Sequence, residues 1–223
     1  MKGTKFAVIG VGKYGSTIAR RLAEKGAEVY AIDTNKNKIE AIKDEVSLAV
    51  TLDSTDKRAL ESQNLQNVDA AIIAIGENFQ AVILTSMLLL EMGIPRVIAR
   101  SGSPNQKIIL QKIGISEILT PEDEVASFVA ERLVNPSIVS FLQLPDNYEI
   151  AEVKAPRAII NKTIAEIDLR HKYNLSLITI KREQIGKSGE IEEHITGVTT
   201  RDTCVLETDT LVVFGLESDV ARF

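Results

Sequence analysis

Three glycines near the start of the chain have the spacing G-x-G-x-x-G. In such a turn the first glycine permits a tight bend, the second lets a pyrophosphate approach the backbone, and the third lets the next helix pack closely on the sheet. The N-terminus of that helix attracts anionic phosphates. The spacing therefore predicts a site for an adenine nucleotide or dinucleotide. The turn comprises Gly10, Val11, Gly12, Lys13, Tyr14 and Gly15.

An acidic residue occupies the position at which a nucleotide-binding site of this kind requires one. Asp33 ends the second predicted strand, at about the 20-residue distance from the glycine turn that the motif requires, and Thr34 follows it. A carboxylate there accepts hydrogen bonds from ribose hydroxyls and repels a 2′-phosphate, which disfavours NADP. Lys13, inside the turn, is placed to neutralise phosphate charge. The predicted ligands are therefore ATP, ADP or NAD(H).

Further candidates lie where other predicted strands end, because the carboxyl ends of parallel strands share the ligand-binding edge of a sheet. Asp53, which Ser54 follows, could receive an adenine amino group or could cap the helix predicted near Thr55. Arg100 ends the fifth strand and favours contact with a phosphate over a surface ion pair. The residues that follow the fourth strand at this edge are Ile75, Gly76 and Asn78.

Short apolar runs alternate with segments of helical periodicity over the first 120 residues. Because consecutive parallel strands need crossover helices, this alternation predicts a doubly wound parallel sheet, a Rossmann-type α/β domain over residues 1–120. The predicted strands are 6–9, 29–32, 48–50, 70–74, 96–100 and 117–119. The predicted helices start after the glycine turn and continue with 36–43, 55–63, 78–92 and 106–113.

Residues 121–146 are predicted to form crossover helices and a linker. A helix opens at Pro121, carries Val125, Phe128, Val129 and Leu133 on one stripe, and breaks at Pro136. The apolar segment 137–142 is predicted to be a further short helix. The apolar stripe indicates either packing against another subunit or folding back on the chain's own sheet.

The pattern changes after residue 146, where strands outnumber helices. Alternating residues predict strands at 148–153 and 175–181, and a buried apolar run predicts one at 209–215. A short helix is expected at 164–173 and a turn at 186–189. Residues 147–223 are therefore predicted to form a small α+β domain.

Composition narrows the possible functions. The 223 residues carry 26 basic and 31 acidic side chains, a net charge of −5, so nucleic-acid binding through a basic surface is not expected. The densest apolar stretch, 82–90, is too short to span a membrane, and a cytoplasmic protein is expected. Neither G-x-S-x-G nor a P-loop occurs, and both histidines lie in the C-terminal part. A binding protein that is not an enzyme is favoured over a small NAD-dependent oxidoreductase and over an NAD(H)-dependent transcriptional regulator.

The chain resembles the RCK (regulator of K⁺ conductance) family, the cytosolic subunits of bacterial potassium uptake systems of the Ktr and Trk type. The resemblance covers residues 4–223. The segments that carry it are 6–15, 74–81, the leucine-rich helix 84–91, and 112–114 leading to Thr120-Pro121-Glu122.

The resemblance implies a gating mechanism. Subunits of this family form homodimers that assemble into an octameric ring beneath a membrane-embedded K⁺-translocating subunit, so this chain is expected at the inner face of the membrane through its partner. ATP, ADP or NAD(H) biases the ring between conformations, which requires different affinities for the two states. The helix over 122–133 would be the dimer crossover, and Lys13 would contact nucleotide phosphates.

Two further sites are implied by the resemblance alone. Glu122 matches a glutamate that joins Mg²⁺ or Ca²⁺ at the dimer interface, although a first-turn acid that stabilises the helix dipole is the simpler interpretation. Arg170 matches an arginine that binds cyclic di-AMP in some relatives, but Ala165 stands where isoleucine is typical. Both ligands remain expectations of the resemblance.

Overall fold

A computed structural model describes residues 3–186 and 190–223, and the chain divides into two compact units. The first unit ends at Glu122 and the second begins at Asp123. Within the described residues, no helix is both long enough and apolar enough to cross a lipid bilayer.

The first unit contains a six-stranded sheet in which every neighbouring pair is parallel. Its order is β3-β2-β1-β4-β5-β6, so the order reverses between β1 and β4, as in a Rossmann fold. The middle strands are continuous apolar runs because helices cover both faces. The strands are β1 (Lys5–Ile9), β2 (Glu28–Asp33), β3 (Leu48–Thr51), β4 (Ala70–Ile73), β5 (Val97–Arg100) and β6 (Glu117–Leu119).

Five helices connect these strands, and their start positions follow from side-chain caps. Asn35, Asp56, Asn78 and Ser103 each accept a hydrogen bond from a backbone N–H in the first turn of the next helix. The first helix differs, because its N-cap residue, Gly12, has no side chain that could accept a hydrogen bond. The helices are α1 (Lys13–Glu24), α2 (Lys36–Glu40), α3 (Lys57–Glu61), α4 (Phe79–Glu91) and α5 (Pro104–Lys112).

Helix α6 (Pro121–Val134) follows the last parallel strand and contains no buried residue. Its predicted apolar stripe is exposed: Val125 is 61% accessible and Leu133 is 76% accessible in the single chain. The Phe128 ring stacks on that of Phe141, with ring centroids 5.8 Å apart. Most of the stripe is therefore uncovered by the chain's own described residues.

The second unit contains a five-stranded antiparallel sheet of order β10-β9-β11-β8-β7, with short helices beside it. A core of apolar residues that includes Ile138, Val153, Ile180 and Val213 lies against this sheet. The elements are β7 (Ile138–Gln143), β8 (Tyr148–Lys154), α7 (Ile164–Ile167), α8 (Leu169–Tyr173), β9 (Ser176–Ile185), β10 (Ile191–Ile195), β11 (Thr210–Leu216) and α9 (Glu217–Arg222). The predicted fold, a parallel Rossmann-type sheet followed by a separate α+β part, is confirmed.

Two local predictions in the second half are wrong. The segment 137–142 is not a helix, because residues 138–143 form β7 and pair antiparallel with β8. The helix expected at 164–173 is two short helices, since Asp168 between them has a left-handed backbone (φ 53°). The turn predicted at 186–189 falls largely on residues 187–189, which lie outside the described residues.

Candidate functional site

A cleft of about 970 Å³ opens at the carboxyl edge of the parallel sheet, where the strand order reverses between β1 and β4. The residues around it come from the ends of five strands and from the starts of α1 and α4. Ligands bind at this position in open α/β sheets because the connections from neighbouring strands leave in opposite directions. The volume suits a ligand of nucleotide or dinucleotide size.

The three glycines of the turn meet different steric requirements. Gly10 has φ +89°, and a Cβ there would lie 2.9 Å from the Ile75 backbone nitrogen. A Cβ on Gly15 would lie 1.9 Å from the Gly10 carbonyl oxygen. In contrast, a Cβ on Gly12 would have no atom within 4 Å, and the backbone there has φ −65°. The fold therefore requires glycine at 10 and 15, whereas Gly12 faces open space in the cleft.

Asp33 is held at the end of β2 by the glycine turn itself. The Val11 N–H donates to Asp33 Oδ2 over 2.9 Å, and the Asn35 N–H donates to Oδ1 over 2.8 Å. Lys38 Nζ lies 3.8 Å from Oδ2. Since the side chain is only 9% exposed, these contacts orient its remaining lone pairs toward the cleft, where ribose hydroxyls could donate to them.

Charged side chains gather near the start of α1. The Arg100 guanidinium lies over the Tyr14 ring, 5.5 Å from its centroid, and forms an ion pair with Glu122. Its Nε is buried and has no hydrogen-bond partner within the described residues. Lys13 is exposed and lines the same cleft. Two cations beside an uncapped helix N-terminus form an environment that attracts phosphate.

Asp53 lies at the rim beyond β3 but does not cap a helix. Its Oδ1 accepts the backbone N–H and the hydroxyl of Thr55 at 2.9 and 2.7 Å. These hydrogen bonds lower the pKa of the Asp53 carboxyl, so it is an anionic acceptor at neutral pH. The expectation that Asp53 caps a helix near Thr55 is wrong, because α3 starts at Lys57 and Asp56 caps it. Beside it, the buried hydroxyls of Ser54 and Thr85 lie 2.8 Å apart.

The structure brings most of the predicted site residues together. Val11 and Gly15 are buried within the turn and do not line the cleft, and Arg170 is exposed on α8 in the second unit. The predicted residues that line the cleft are Gly10, Gly12, Lys13, Tyr14, Asp33, Thr34, Asp53, Ser54, Ile75, Gly76, Asn78, Arg100 and Glu122. Sequence reasoning missed Thr17, Lys38 and Ala81. Thr17 follows Lys13 by four residues, so the helical period could have indicated that both lie on the same side of α1.

Neither histidine of the chain lines the cleft. His171 is exposed in the second unit, with its Nδ1 2.6 Å from Asp168 Oδ1, and His194 is exposed on β10. Across residues 3–186 and 190–223, no group of three or more His, Cys, Asp or Glu side chains is placed to hold a metal ion. The described cleft combines the cations Lys13 and Arg100, the Asp33 carboxylate and apolar side chains such as Ile9 and Leu52.

These features define a class of molecule: a Rossmann-type α/β domain with an open cleft at the reversal of its strand order, followed by a separate antiparallel domain. The chain belongs to the TrkA-N domain family, whose pattern matches residues 6–121. It is 34% identical to the Ktr system potassium uptake protein C of Bacillus subtilis (strain 168) over 219 residues, which cover 98% of this chain and 95% of that protein.

Solved structures share the fold over both units. The RCK domain of GsuK covers 99% of this chain with a TM-score of 0.64 at 18% identity, and this chain spans 46% of that longer one. The GsuK channel bound to NAD covers 98% of this chain, with a TM-score of 0.62 at 17% identity, and this chain spans 38% of it. The resemblance to the RCK family is confirmed.

Proposed function

We propose that this chain is a nucleotide-sensing regulatory subunit of a bacterial potassium uptake system, and that it gates a membrane-embedded K⁺-translocating partner. The observation that carries the proposal is the similarity to a Ktr potassium uptake protein across both units of the chain. A family match confined to the glycine turn would support only nucleotide binding. Similarity that continues through the antiparallel domain supports a shared regulatory role.

The ligand of the cleft is proposed to be ATP, ADP or NAD(H). Asp33 would accept hydrogen bonds from ribose hydroxyls, and its negative charge would disfavour a 2′-phosphate. Gly12 would let a pyrophosphate approach the backbone at the start of α1, since no atom lies within 4 Å of the position of its missing Cβ. The GsuK channel, which shares this fold, was solved with NAD.

The charged end of the cleft would distinguish nucleotides by their phosphates. Arg100 contacts Glu122, whereas Lys13 is exposed at the opening of the cleft. A terminal phosphate would attract Lys13 and would compete with Glu122 for the Arg100 guanidinium. ATP and ADP would then favour different conformations, because a ligand shifts an equilibrium only by its difference in affinity for the two states.

Assembly and further ligands follow the family expectation. The exposed stripe Val125, Val129 and Leu133 on α6 would be covered in a homodimer, and dimers would form an octameric ring at the inner face of the membrane. Glu122 would join Mg²⁺ or Ca²⁺ at the dimer interface, and Arg170 would contact cyclic di-AMP. We propose no chemical reaction and no nucleic-acid partner. The proposed domains are residues 1–120 and 147–223, joined by 121–146.

Calorimetric titration of the purified chain with ATP, ADP, NAD and NADH tests the binding step. Asp33→Ala should weaken every adenosine ligand, while Asp44→Ala, an exposed acid outside the cleft, should leave all affinities unchanged. Potassium uptake by vesicles that contain a Ktr-type membrane subunit should then depend on the added chain and on the nucleotide. Consumption of NADH with a carbonyl substrate, or uptake that ignores the chain, would contradict the proposal.

A further inference from the structure

A lysine side chain lies beside the Asp33 carboxylate at the edge of the cleft. Lys38 Nζ is 3.8 Å from Asp33 Oδ2, and Lys38 is among the residues that line the cleft. At this distance the two groups attract each other as charges but do not form a hydrogen bond. An ammonium has three donors, and the contact with Asp33 uses none of them at hydrogen-bond distance. Lys38 can therefore donate to a ligand that occupies the cleft.

The Asp33 carboxylate is already held by two backbone donors. The Val11 N–H donates to Oδ2 over 2.9 Å, and the Asn35 N–H donates to Oδ1 over 2.8 Å. Because a carboxylate oxygen has two lone pairs, each can accept one further hydrogen bond. A carboxylate has no proton to donate, so a ribose hydroxyl bound to Asp33 keeps its own lone pairs. Those lone pairs need a separate donor.

The first turn of α2 places Lys38 where it can be that donor. The Asn35 side chain caps the helix and accepts the Lys38 N–H over 3.4 Å. The next residue, Ile39, is 5% exposed and belongs to the same apolar cluster as Ala31 of β2. These two anchors fix the rotation of α2 about its axis. The Lys38 backbone is thus held at the edge of the cleft, and binding has to order only the side chain.

We propose, on the basis that the cleft binds an adenosine nucleotide, that Lys38 and Asp33 recognise the ribose as a pair: one ribose hydroxyl donates to Asp33 and accepts from Lys38 Nζ. Hydrogen bonds to charged groups are roughly twice as strong as those between neutral groups, and here both partners of the hydroxyl are charged. Lys38 is then a specificity residue that favours ribonucleotides over deoxyribonucleotides.

A deoxyribonucleotide would leave both charged groups without this hydroxyl. The Asp33 side chain is only 9% exposed, so water replaces the hydroxyl poorly on that side, whereas the Lys38 side chain is 48% exposed. A site that hydrogen-bonds a hydroxyl of its ligand rejects an analogue that lacks it, because the polar groups of the site are left unpaired. The preference for ribose should depend on both members of the pair.

Calorimetric titration of the full chain with ATP, 2′-deoxy-ATP and 3′-deoxy-ATP tests this role. Lys38→Met should weaken ATP about 10- to 100-fold, the effect of losing one hydrogen bond between a charged group and a hydroxyl. It should weaken at least one of the two deoxynucleotides only about fivefold or less, the effect of removing one exposed charge. The unfolding temperature should not change, because Lys38 is exposed.

Lys36→Met is the matched control, because Lys36 is an exposed cation of the same helix that does not line the cleft. It should weaken all three nucleotides equally, by about fivefold or less. If Lys38→Met weakens ATP and both deoxynucleotides by the same factor, or leaves all three unchanged, Lys38 does not contact the ribose and the inference is wrong, while nucleotide binding stands. If the wild type binds none of the three, the proposed nucleotide site is itself refuted.

Discussion

Replacement of Gly12 by alanine separates what the fold requires from what a ligand requires. The added Cβ would meet no atom within 4 Å, and φ −65° is a conformation that alanine adopts readily. The folded state should therefore accept the methyl group. Since alanine restricts the unfolded chain more than glycine does, the free energy of unfolding should stay constant or rise by about 0.4–1 kcal/mol.

Nucleotide binding should respond in the opposite way. A methyl group at position 12 would occupy the space through which a pyrophosphate reaches the backbone at the start of α1. Loss of one hydrogen bond to a charged phosphate costs about 1.5–3 kcal/mol. The dissociation constant for ATP, ADP or NADH should then increase about 10- to 100-fold. Calorimetric titration measures this change, and thermal unfolding of the same sample measures the stability.

Gly15→Ala provides the contrast within the same turn. Its Cβ would lie 1.9 Å from the Gly10 carbonyl oxygen, so α1 must move away from β1 and the unfolding temperature should fall. If Gly12→Ala bound nucleotide as tightly as the wild type and was equally stable, no phosphate would approach the turn there. The assignment of the glycine turn to a pyrophosphate would then be refuted.

Three other substitutions test separate parts of the molecule. Lys13→Ala should mainly reduce the preference between ATP and ADP in competition binding, and an unchanged preference would remove Lys13 from the phosphate site. Arg182→Met should lower the free energy of unfolding in urea by about 3–5 kcal/mol, because it removes the counter-charge of the fully buried Asp209 carboxylate and the two hydrogen bonds of 2.8 and 2.7 Å that Arg182 donates to it, and leaves only the Leu206 N–H as a donor among the described residues. Burial raises the pKa of Glu149, which is 3% exposed on β8, from 4.5 to about 7, so ionisation of this carboxyl destabilises the folded protein increasingly between these pH values. In urea titrations, the free energy of unfolding of Glu149→Gln should match that of the wild type near pH 4.5 and exceed it by up to about 3 kcal/mol above pH 7. A constant difference across this range would contradict a buried, titrating carboxylate.

The parallel sheet was predictable because its strands are buried on both faces and are therefore continuous apolar runs. The glycine turn and Asp33 were predictable for a related reason: the positive φ of Gly10 and the close approach of Gly15 to the Gly10 carbonyl both arise within one strand–turn–helix unit. The Val11 N–H that contacts Asp33 belongs to the same turn. Contacts between residues that are close together in the sequence can be predicted from the spacing of those residues.

The secondary structure of residues 138–143 could not be predicted from the local sequence. An apolar run of six residues fits a helix or a strand equally well, and pairing with β8 decides between them. The start of α3 is a second case. Asp53 was a candidate for its N-cap, but Asp56, three residues later, caps the helix, and either aspartate satisfies the capping rule. Neither choice can be made without the partner strand or the exact start of the helix.

Sequence alone determined the order of elements in the parallel domain, the glycine turn and the acid at the end of β2, since each depends on residues close together in the chain. Tertiary structure alone decided that Lys38 faces the cleft and that the charges of Glu131 and Glu217 act on the buried Glu149. Those groupings join residues as much as 86 positions apart through the packing of helices on sheets. No spacing in the chain encodes them, because helix rotation and strand register set which side chains meet.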